Sequence, residues 1–449
     1  MQKIIIVVMY MLGVSFHGYA QTQLTLEKSK SLALQNNANV KNSTLELEAA
    51  REIKKNAFTK YFPSMSASAM GMQAIDPLLE TYMQGGNLPV YDGNPANLAT
   101  ATQFAYMPDV SLGLLNQMAV GYVDVKQPVY AGGRIRTGNN LSELNIEVKE
   151  KQQKLSENDI LLKTEKEYWQ VITLQEKQKT LDSYIRFLDT LYVQVYNAYK
   201  NGLVIKNDLL KVTIKQSELQ VNNTQLQNGK KLALMRLCQT IGINYSSDIV
   251  LEGNLDDYSL PETYFVPNAE VLTKRAEYKL LEKSVAASKL ETKMKRGDYL
   301  PSIGVGVTGY YLDQFENNID GNFNGMVYAS VSVPISDWWG GKHKLKEMKF
   351  RETMTQNVME DASGLLNLQM EKGWTDLKEA NDKVELIEET LEQTTENLKV
   401  NQDSYNNGLI QLSDLLEARA LKAETEDKLI EAKNQYKVSI TNYLQVTGR

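Results

Sequence analysis

The side chains of this sequence offer few routes to covalent or metal chemistry. Apart from His17, near the N-terminus, the only histidine is His343, and the only cysteine is Cys238. A structural zinc site takes four cysteine or histidine ligands, and a nucleophilic serine or cysteine needs a base such as histidine beside it. The composition therefore predicts a protein that is not an enzyme, with no metal site, no cofactor and no internal disulfide bond.

Asp414 and Glu417 form the acidic pair whose spacing suggests a function. Residues three apart lie on one face of a helix, so the two carboxylates can act on the same ion. The alternative is a solvated pair near a helix N-terminus, stabilised by the helix dipole. The net charge of −6 gives no support to nucleic-acid binding.

The N-terminus has the features of a secretory signal. Lys3 precedes an apolar run that ends near Phe16, and Gly18-Tyr19-Ala20 supplies small residues for cleavage. We expect cleavage after Ala20; a short membrane anchor that is retained is the alternative. The run is too short for a membrane-spanning helix, which needs about 20 residues. An exported chain without a later apolar segment is soluble or enters the outer membrane as strands.

Prolines are absent from two long parts of the chain, residues 129–260 and the residues after Pro334. Because a proline inside a helix costs about 3 kcal/mol, these parts are predicted to be helical. Residues 140–199 contain no strong helix breaker, and about 60 helical residues would extend roughly 90 Å. That length indicates a coiled coil or a tube of helices. Apolar side chains spaced by three and four form a stripe of Leu181, Tyr184, Ile185, Leu188, Leu191, Tyr192, Val195 and Tyr199.

Between the helical parts, apolar residues alternate with small or polar ones. This period of two predicts four strands, at about residues 62–71, 118–129, 300–311 and 326–336. The pattern is typical of membrane-barrel strands with an apolar outer face. Half-buried strands of a soluble sheet have the same pattern.

The chain repeats itself. Tyr61-Phe62-Pro63-Ser64 recurs as Tyr299-Leu300-Pro301-Ser302, and Tyr199-Lys200-Asn201-Gly202-Leu203 recurs as Tyr405-Asn406-Asn407-Gly408-Leu409. We predict a signal peptide over residues 1–20, a first structural repeat over 21–243, a linker over 244–268 and a second repeat over 269–449. The first hairpin connection, residues 72–117, is about 32 residues longer than its counterpart, and its prolines and glycines predict an irregular external loop.

The predicted fold class is mainly α with β, built from two halves of helix, β-hairpin and long helical hairpin. Gly202 and Gly408 are predicted to end the long helices, with Asn207-Asp208 and Ser413-Asp414 capping the returning ones. Four strands cannot close a membrane barrel, and an open edge in lipid leaves backbone groups unpaired. We therefore expect three copies to contribute twelve strands to one barrel.

Several segments resemble the TolC-type outer-membrane efflux protein family. They are Leu24-Thr25-Leu26-Glu27, Tyr61-Phe62-Pro63-Ser64 with its repeat, Gln127-Pro128-Val129-Tyr130-Ala131-Gly132-Gly133, and Asn201-Gly202-Leu203-Val204. The resemblance runs from about Leu24 to Gly448. Ala38 and Ala276 stand where this family often has proline.

The resemblance implies a homotrimer in the bacterial outer membrane, with a twelve-stranded β-barrel continued by a periplasmic α-helical barrel. It implies passive conduction of cargo for an efflux or type I secretion system, together with a periplasmic adaptor protein and an inner-membrane pump. The adaptor-docking tips match Gly202, Leu203, Val204, Gly408, Leu409 and Ile410. The periplasmic aperture ring matches Asp414 and Glu417, and six carboxylates around a narrow axis would attract cations. The closed-state latch matches Asp208 and Tyr405; Ile410 stands where a basic residue often completes it.

Two alternatives to these interpretations remain. Tyr130, Trp338 and Trp339 follow predicted strands and suggest an aromatic belt at the membrane interface, although core packing would use the same residues. A periplasmic coiled-coil adaptor is the alternative function, but it does not explain two symmetric hairpins. The sequence does not identify the cargo, which could be a drug, a metal ion or a polypeptide.

Overall fold

The computed structural model describes residues 22–76, 79–114, 117–315 and 319–449. The predicted signal peptide, residues 1–20, lies outside these ranges. Within them, no helix combines the length and the hydropathy that crossing a bilayer requires.

The first half of the chain runs from a short strand to a helical hairpin. Its elements, in chain order, are β1 (Thr22–Leu24), α1 (Leu26–Asn36), α2 (Ala38–Thr59), β2 (Ser64–Gln73), β3 (Leu79–Met83), β4 (Gly86–Pro89), β5 (Phe104–Met107), β6 (Val110–Leu114), β7 (Gln117–Ala131), α3 (Arg134–Lys200) and α4 (Lys206–Ile241).

The second half has the same order with a simpler hairpin. Its elements are β8 (Ile249–Leu251), α5 (Asn268–Val271), α6 (Ala276–Gly297), β9 (Ser302–Gln314), β10 (Ile319–Ser332), α7 (Asp337–Asn406) and α8 (Leu412–Val446). The predicted fold class, mainly α with β, is confirmed. The segment predicted as a linker, residues 244–268, contains β8, which pairs in parallel with β1.

The long helices occupy the proline-free parts of the chain. α3 has 67 residues and α7 has 70. α3 begins at Arg134, immediately after Gly132 and Gly133, whose positive φ angles of 61° and 78° turn the chain out of β7. Such angles are accessible to glycine without steric cost.

The connection between β2 and β7 is more regular than the sequence predicts. β3 pairs antiparallel with β6, and β4 pairs antiparallel with β5. Among the described residues that suggested a loop, Gly86 and Pro89 bound β4, and Pro95 begins a 3₁₀ turn; Pro77 lies outside the described residues. Proline and glycine are tolerated at these positions, so their presence does not exclude strands nearby.

A four-stranded antiparallel sheet joins the two halves in the order β10-β9-β7-β2. Asp124 of β7 lies opposite Ser66 of β2 and Thr308 of β9. In the part of the sheet around Asp124, the two faces differ in polarity because side chains alternate between them. One face carries Met65, Ala67, Val123, Val125, Val305, Val307, Val327, Ala329 and Val331, with Gln127 as a polar exception; the other carries Ser64, Ser66, Ser68, Tyr122, Asp124, Lys126, Thr308, Tyr328 and Ser330, with Met326 as an apolar exception.

The chain divides into two compact units. The first contains the residues up to Arg51 together with Leu144–Ala287 and Glu352–Arg449; the second contains Glu52–Glu143 and Ser288–Arg351. The second unit therefore consists of the sheet, its connections and the adjoining helix ends.

Three clusters of buried apolar residues stabilise the first unit. One surrounds Tyr168, whose hydroxyl donates to the carbonyl oxygens of Leu24 and Glu252 and so connects α3 to β1 and to the residue after β8. A second includes Leu188, Val212 and Leu415, and a third surrounds Tyr436 and Tyr443.

Candidate functional site

The two turns between long helices have the same hydrogen bonds. In the first, the Leu203 N–H donates to the Ala198 carbonyl at 2.9 Å and the Gly202 N–H donates to Tyr199 at 3.0 Å. In the second, the Leu409 N–H donates to Ser404 and the Gly408 N–H to Tyr405, both at 2.9 Å. This is the Schellman motif, which needs a left-handed residue where each glycine stands. The φ angles of Gly202 and Gly408 are 68° and 72°, as predicted for helix-ending glycines.

The predicted docking tips carry uncovered apolar side chains. Leu203 and Leu409 stand at equivalent positions and are 77% and 76% exposed, and Ile205 is also exposed. Val204 and Ile410 are half-buried, and Val204 packs against the cluster of Leu188, Val212 and Leu415. The equivalent exposure of two leucines offers a partner a pair of matched apolar contacts.

The predicted helix caps differ from the observed ones. The N-cap of α8 is Gln411, not Ser413, and the N-cap of α4 is Ile205, which makes no side-chain capping bond. Asp414 instead occupies the third helical position, where its Oδ2 accepts the Gln411 N–H at 3.1 Å in a capping box. Both helices begin earlier than predicted because the Schellman turn is short and the chain re-enters helix two or three residues after it.

Asp414 and Glu417 lie on one exposed face of α8, opposite the buried Leu412 and Leu415. This geometry agrees with their i, i+3 spacing. Asp414 also stabilises the start of its own helix, which is the alternative role considered for this pair. The two roles are compatible, since one carboxylate oxygen accepts the backbone N–H and the other remains available.

The structure places Asp208 and Tyr405 near each other. Burial raises the pKa of the Tyr405 phenol, and the negative charge of Asp208 raises that pKa further. No hydrogen bond joins the two within the described part of the chain; Asp208 is paired with Lys211 at 3.5 Å. Tyr405 packs against the same apolar cluster as Val204.

Sequence reasoning missed a buried cation close to the predicted ring. Arg419, two residues after Glu417, is only 4% exposed. Its guanidinium lies over the Tyr184 ring at 4.6 Å and near Phe187 at 5.7 Å, and Glu426 is 3.9 Å away. Cation–π contacts of this kind strengthen when the cation is desolvated. The burial of Arg419 could have been predicted from its position four residues after Leu415, on the same helix face of α8.

A polar cluster on the sheet was also missed. Asp124 is buried and accepts hydrogen bonds from Thr308 Oγ1 at 2.5 Å and from the Tyr328 hydroxyl at 3.0 Å, and Lys126 is 3.3 Å away. A Cβ on Gly306 would clash with the Tyr328 ring. Glycine is therefore required at this position if Tyr328 is to cross β9 and reach Asp124.

Comparisons with known proteins identify a family and a fold. Residues 270–449 match the family model described as "Outer membrane efflux protein", a range that nearly coincides with the predicted second repeat. Among curated protein sequences, none matches this chain.

Solved structures resemble almost the whole chain at low sequence identity. The CmeC outer membrane channel of Campylobacter jejuni is 14% identical, with 94% of this chain and 85% of that chain covered and a TM-score of 0.73. The MtrE outer membrane channel of Neisseria gonorrhoeae, in its open state, is 14% identical, with 94% of this chain and 88% of that chain covered and a TM-score of 0.71. CusC is also 14% identical, with 94% of this chain and 92% of that chain covered and a TM-score of 0.75.

The likeness to solved structures establishes the fold of the chain. The family match covers residues 270–449, which is nearly the predicted second repeat. The resemblance predicted from the sequence motifs is confirmed, and so are the predicted function as an outer-membrane efflux channel and the predicted outer-membrane location.

Proposed function

We propose that this chain, an outer membrane efflux protein by the match of residues 270–449 and by its fold, assembles as a homotrimer whose twelve strands close one barrel. The observation that carries the proposal is the four-stranded sheet itself. β10 and β2 are its outer strands, each paired on one side only within the described chain. Unpaired strand edges are strongly unfavourable in lipid, so the edges must pair with neighbouring copies.

The apolar face of the sheet supports a membrane location for these strands. Met65, Val327 and Val331 are 74%, 81% and 68% exposed on that face. In water this surface would be a liability, whereas in a bilayer it is the outward face of a barrel. The opposite face, with Asp124 and Lys126, then lines the channel.

The barrel hypothesis is tested by mass and conductance. Light scattering of the detergent-extracted protein should give three copies, and reconstitution into planar bilayers should give stable conductance steps. A monomer in detergent, or a trimer that never conducts, would contradict the proposal. Conduction is passive in this view, because the chain supplies a path and a partner supplies the energy; no catalytic role is assigned to it.

The tips with Leu203 and Leu409 are proposed to dock a periplasmic adaptor protein, which connects the channel to an inner-membrane pump. Two exposed leucines at equivalent turns give a repeated apolar contact for such a partner. The alternative of a coiled-coil adaptor receives no support from the family match.

The docking proposal is tested with Leu203→Asp combined with Leu409→Asp. We expect lost binding of the periplasmic adaptor protein, without loss of the trimer, because a charge enters an apolar contact at each tip. Leu232→Asp is the matched control, since Leu232 is 64% exposed on α4 away from the turns. Equal binding by the tip variant and the control would contradict the proposed docking site.

A further inference from the structure

The helix ends of the second unit carry a concentrated positive charge. We use the name basic collar for residues 52–60, 134–143, 288–298 and 337–351. These residues include fourteen lysines and arginines but six aspartates and glutamates, although the whole chain has a net charge of −6. The strands and connections of the same unit contain one basic residue, Lys126, against eight acidic ones. The positive charge therefore belongs to one end of the unit.

The basic collar is a single packed structure. Asn139 donates to the Ala57 carbonyl at 3.0 Å, which joins α3 to α2. Arg134 pairs with Asp298 at 3.3 Å, which joins α3 to α6. The four helix ends are completed by α7, where the Trp338 indole N–H donates to the carbonyl of Tyr299 at 2.8 Å. The charges are thus held together by the fold.

The acidic side chains of the basic collar do not neutralise it. Glu143 pairs with Lys54, and Asp298 pairs with both Arg134 and Lys295. Glu347 likewise serves two cations, Lys344 and Arg351. With every acidic residue of the four ranges counted, the formal net charge of the basic collar is +8, which favours an anionic ligand.

One face of α7 combines this charge with large aromatic side chains. Trp339, Lys342, His343, Lys346 and Phe350 follow helical spacing and are all exposed. Trp339 is 82% exposed, and the Lys346 ammonium lies 5.6 Å from the Phe350 ring centroid. Tryptophan and lysine on one face are typical of proteins at the headgroup level of a membrane.

The position of this face in the second unit agrees with a place at the headgroup level of the membrane. α7 begins at Asp337, a few residues after β10 ends at Ser332. β10 carries Val327 and Val331 on the apolar face of the sheet. If the apolar face lies in hydrocarbon, as the proposed barrel requires, the start of α7 lies among the headgroups of the same membrane.

We propose that the basic collar binds the phosphate headgroups of anionic phospholipids at the periplasmic surface of the outer membrane. This inference rests on the proposed barrel. Clustered lysine and arginine near a membrane strengthen attraction to anionic lipid by about fivefold per residue. Trp339 inserts beside the headgroups while Lys342 and Lys346, one and two helical turns further along α7, contact their phosphates. The occupant is anionic because the collar is strongly positive.

Tryptophan fluorescence gives a direct test. The chain has four tryptophans; Trp169 and Trp374 pack in the first unit, so Trp169→Phe with Trp374→Phe leaves Trp338 and Trp339 as reporters. Brominated phosphatidylglycerol and brominated phosphatidylethanolamine are titrated onto the trimer in detergent. We expect brominated phosphatidylglycerol to reach half-maximal quenching at a concentration at least fivefold lower than brominated phosphatidylethanolamine. Added salt should reduce this preference. If the double substitution does not fold, native mass spectrometry of the original chain with the same two lipids replaces fluorescence.

The charge requirement is tested by Lys293→Gln, Lys342→Gln and Lys346→Gln together. The lipid preference should fall below twofold. The matched control replaces three exposed lysines of the first unit, Lys231, Lys378 and Lys399, and should keep the preference.

Three outcomes would overturn the lipid proposal: no preference in the parent, equal loss in the control, or loss of the trimer in the collar variant alone. The last would make this face a contact between copies. A parent that forms no trimer and no conducting channel would instead reject the proposed function, so the two failures are distinguishable.

Discussion

At the scale of single residues, the carboxylates of Asp414 and Glu417 share one exposed helix face, and only Asp414 has a structural role as well. Asp414→Asn keeps an oxygen that accepts the Gln411 N–H, so the start of α8 should survive the substitution. Asp414→Asn with Glu417→Gln should weaken block of the channel by multivalent cations, because the ring would lose six negative charges. Planar-bilayer current with increasing hexaamminecobalt measures the block.

The matched control for the ring is Glu389→Gln with Glu392→Gln. These residues have the same i, i+3 spacing and are exposed on α7. If the control changes cation block as much as the ring variant does, the aperture ring is not at Asp414 and Glu417.

Asp208 and Tyr405 lead to a second residue-level prediction. If they hold the tips closed, Asp208→Ala or Tyr405→Phe should raise the conductance of the resting channel in a planar bilayer. The pKa of Tyr405 is raised, so its hydroxyl remains a donor at pH values where an ordinary tyrosine begins to ionise. The closed state should therefore persist from neutral pH upward, and be lost only as the pH rises through the raised pKa. Unchanged conductance in both variants would reject the latch.

At the scale of elements, the two turn glycines allow a clean measurement of backbone strain. A Cβ at Gly202 or Gly408 would meet nothing within 4 Å, yet both φ angles are positive. Gly202→Ala and Gly408→Ala should each lower the free energy of unfolding by about 1–2 kcal/mol, through conformation alone. Gly229→Ala is the control: it lies within α4 with open space and no positive φ, so it should stabilise by up to about 1 kcal/mol. Chemical denaturation followed by circular dichroism gives all three values.

The elements themselves were largely predictable, because they depend on local chemistry. The absence of proline placed the long helices, and the glycines placed both turns. The capping residues were not predictable from local preference: Ser413 has a better capping side chain than Gln411, but the Schellman turn brings the chain into helix two residues earlier. The two pairs of short strands, β3 with β6 and β4 with β5, were missed because glycine and proline at strand ends resemble loop signals.

The tertiary partners of the candidate site were beyond sequence reasoning. Tyr168 lies in a cluster of buried apolar residues, and nothing local indicates that its hydroxyl donates to the carbonyl oxygens of Leu24 and Glu252. Arg419 has the same character, since its partners Tyr184 and Phe187 lie on α3. The predicted tip and ring residues were found through the repeat and the resemblance, which preserve position along a helix. A contact between two side chains that are distant in the sequence produces no repeat or periodic pattern from which it could be predicted.

At the scale of the whole molecule, the sheet must present one face to lipid and the other to a channel, and β10 provides two positions, three residues apart, that distinguish the faces. Val327 is on the apolar face, and Ser330 is on the face that carries Asp124 and Tyr328. Val327→Lys should oppose insertion by about 2–4 kcal/mol for each copy if it lies near the bilayer midplane, because a charged amine enters hydrocarbon. Ser330→Lys should insert normally and change only the conductance or its ion selectivity. Folding of both variants into lipid vesicles, measured by protease protection and by heat-modifiable migration on gels, compares them directly. Equal insertion of the two would mean that the apolar face does not meet lipid, and the barrel of three copies would fail with it.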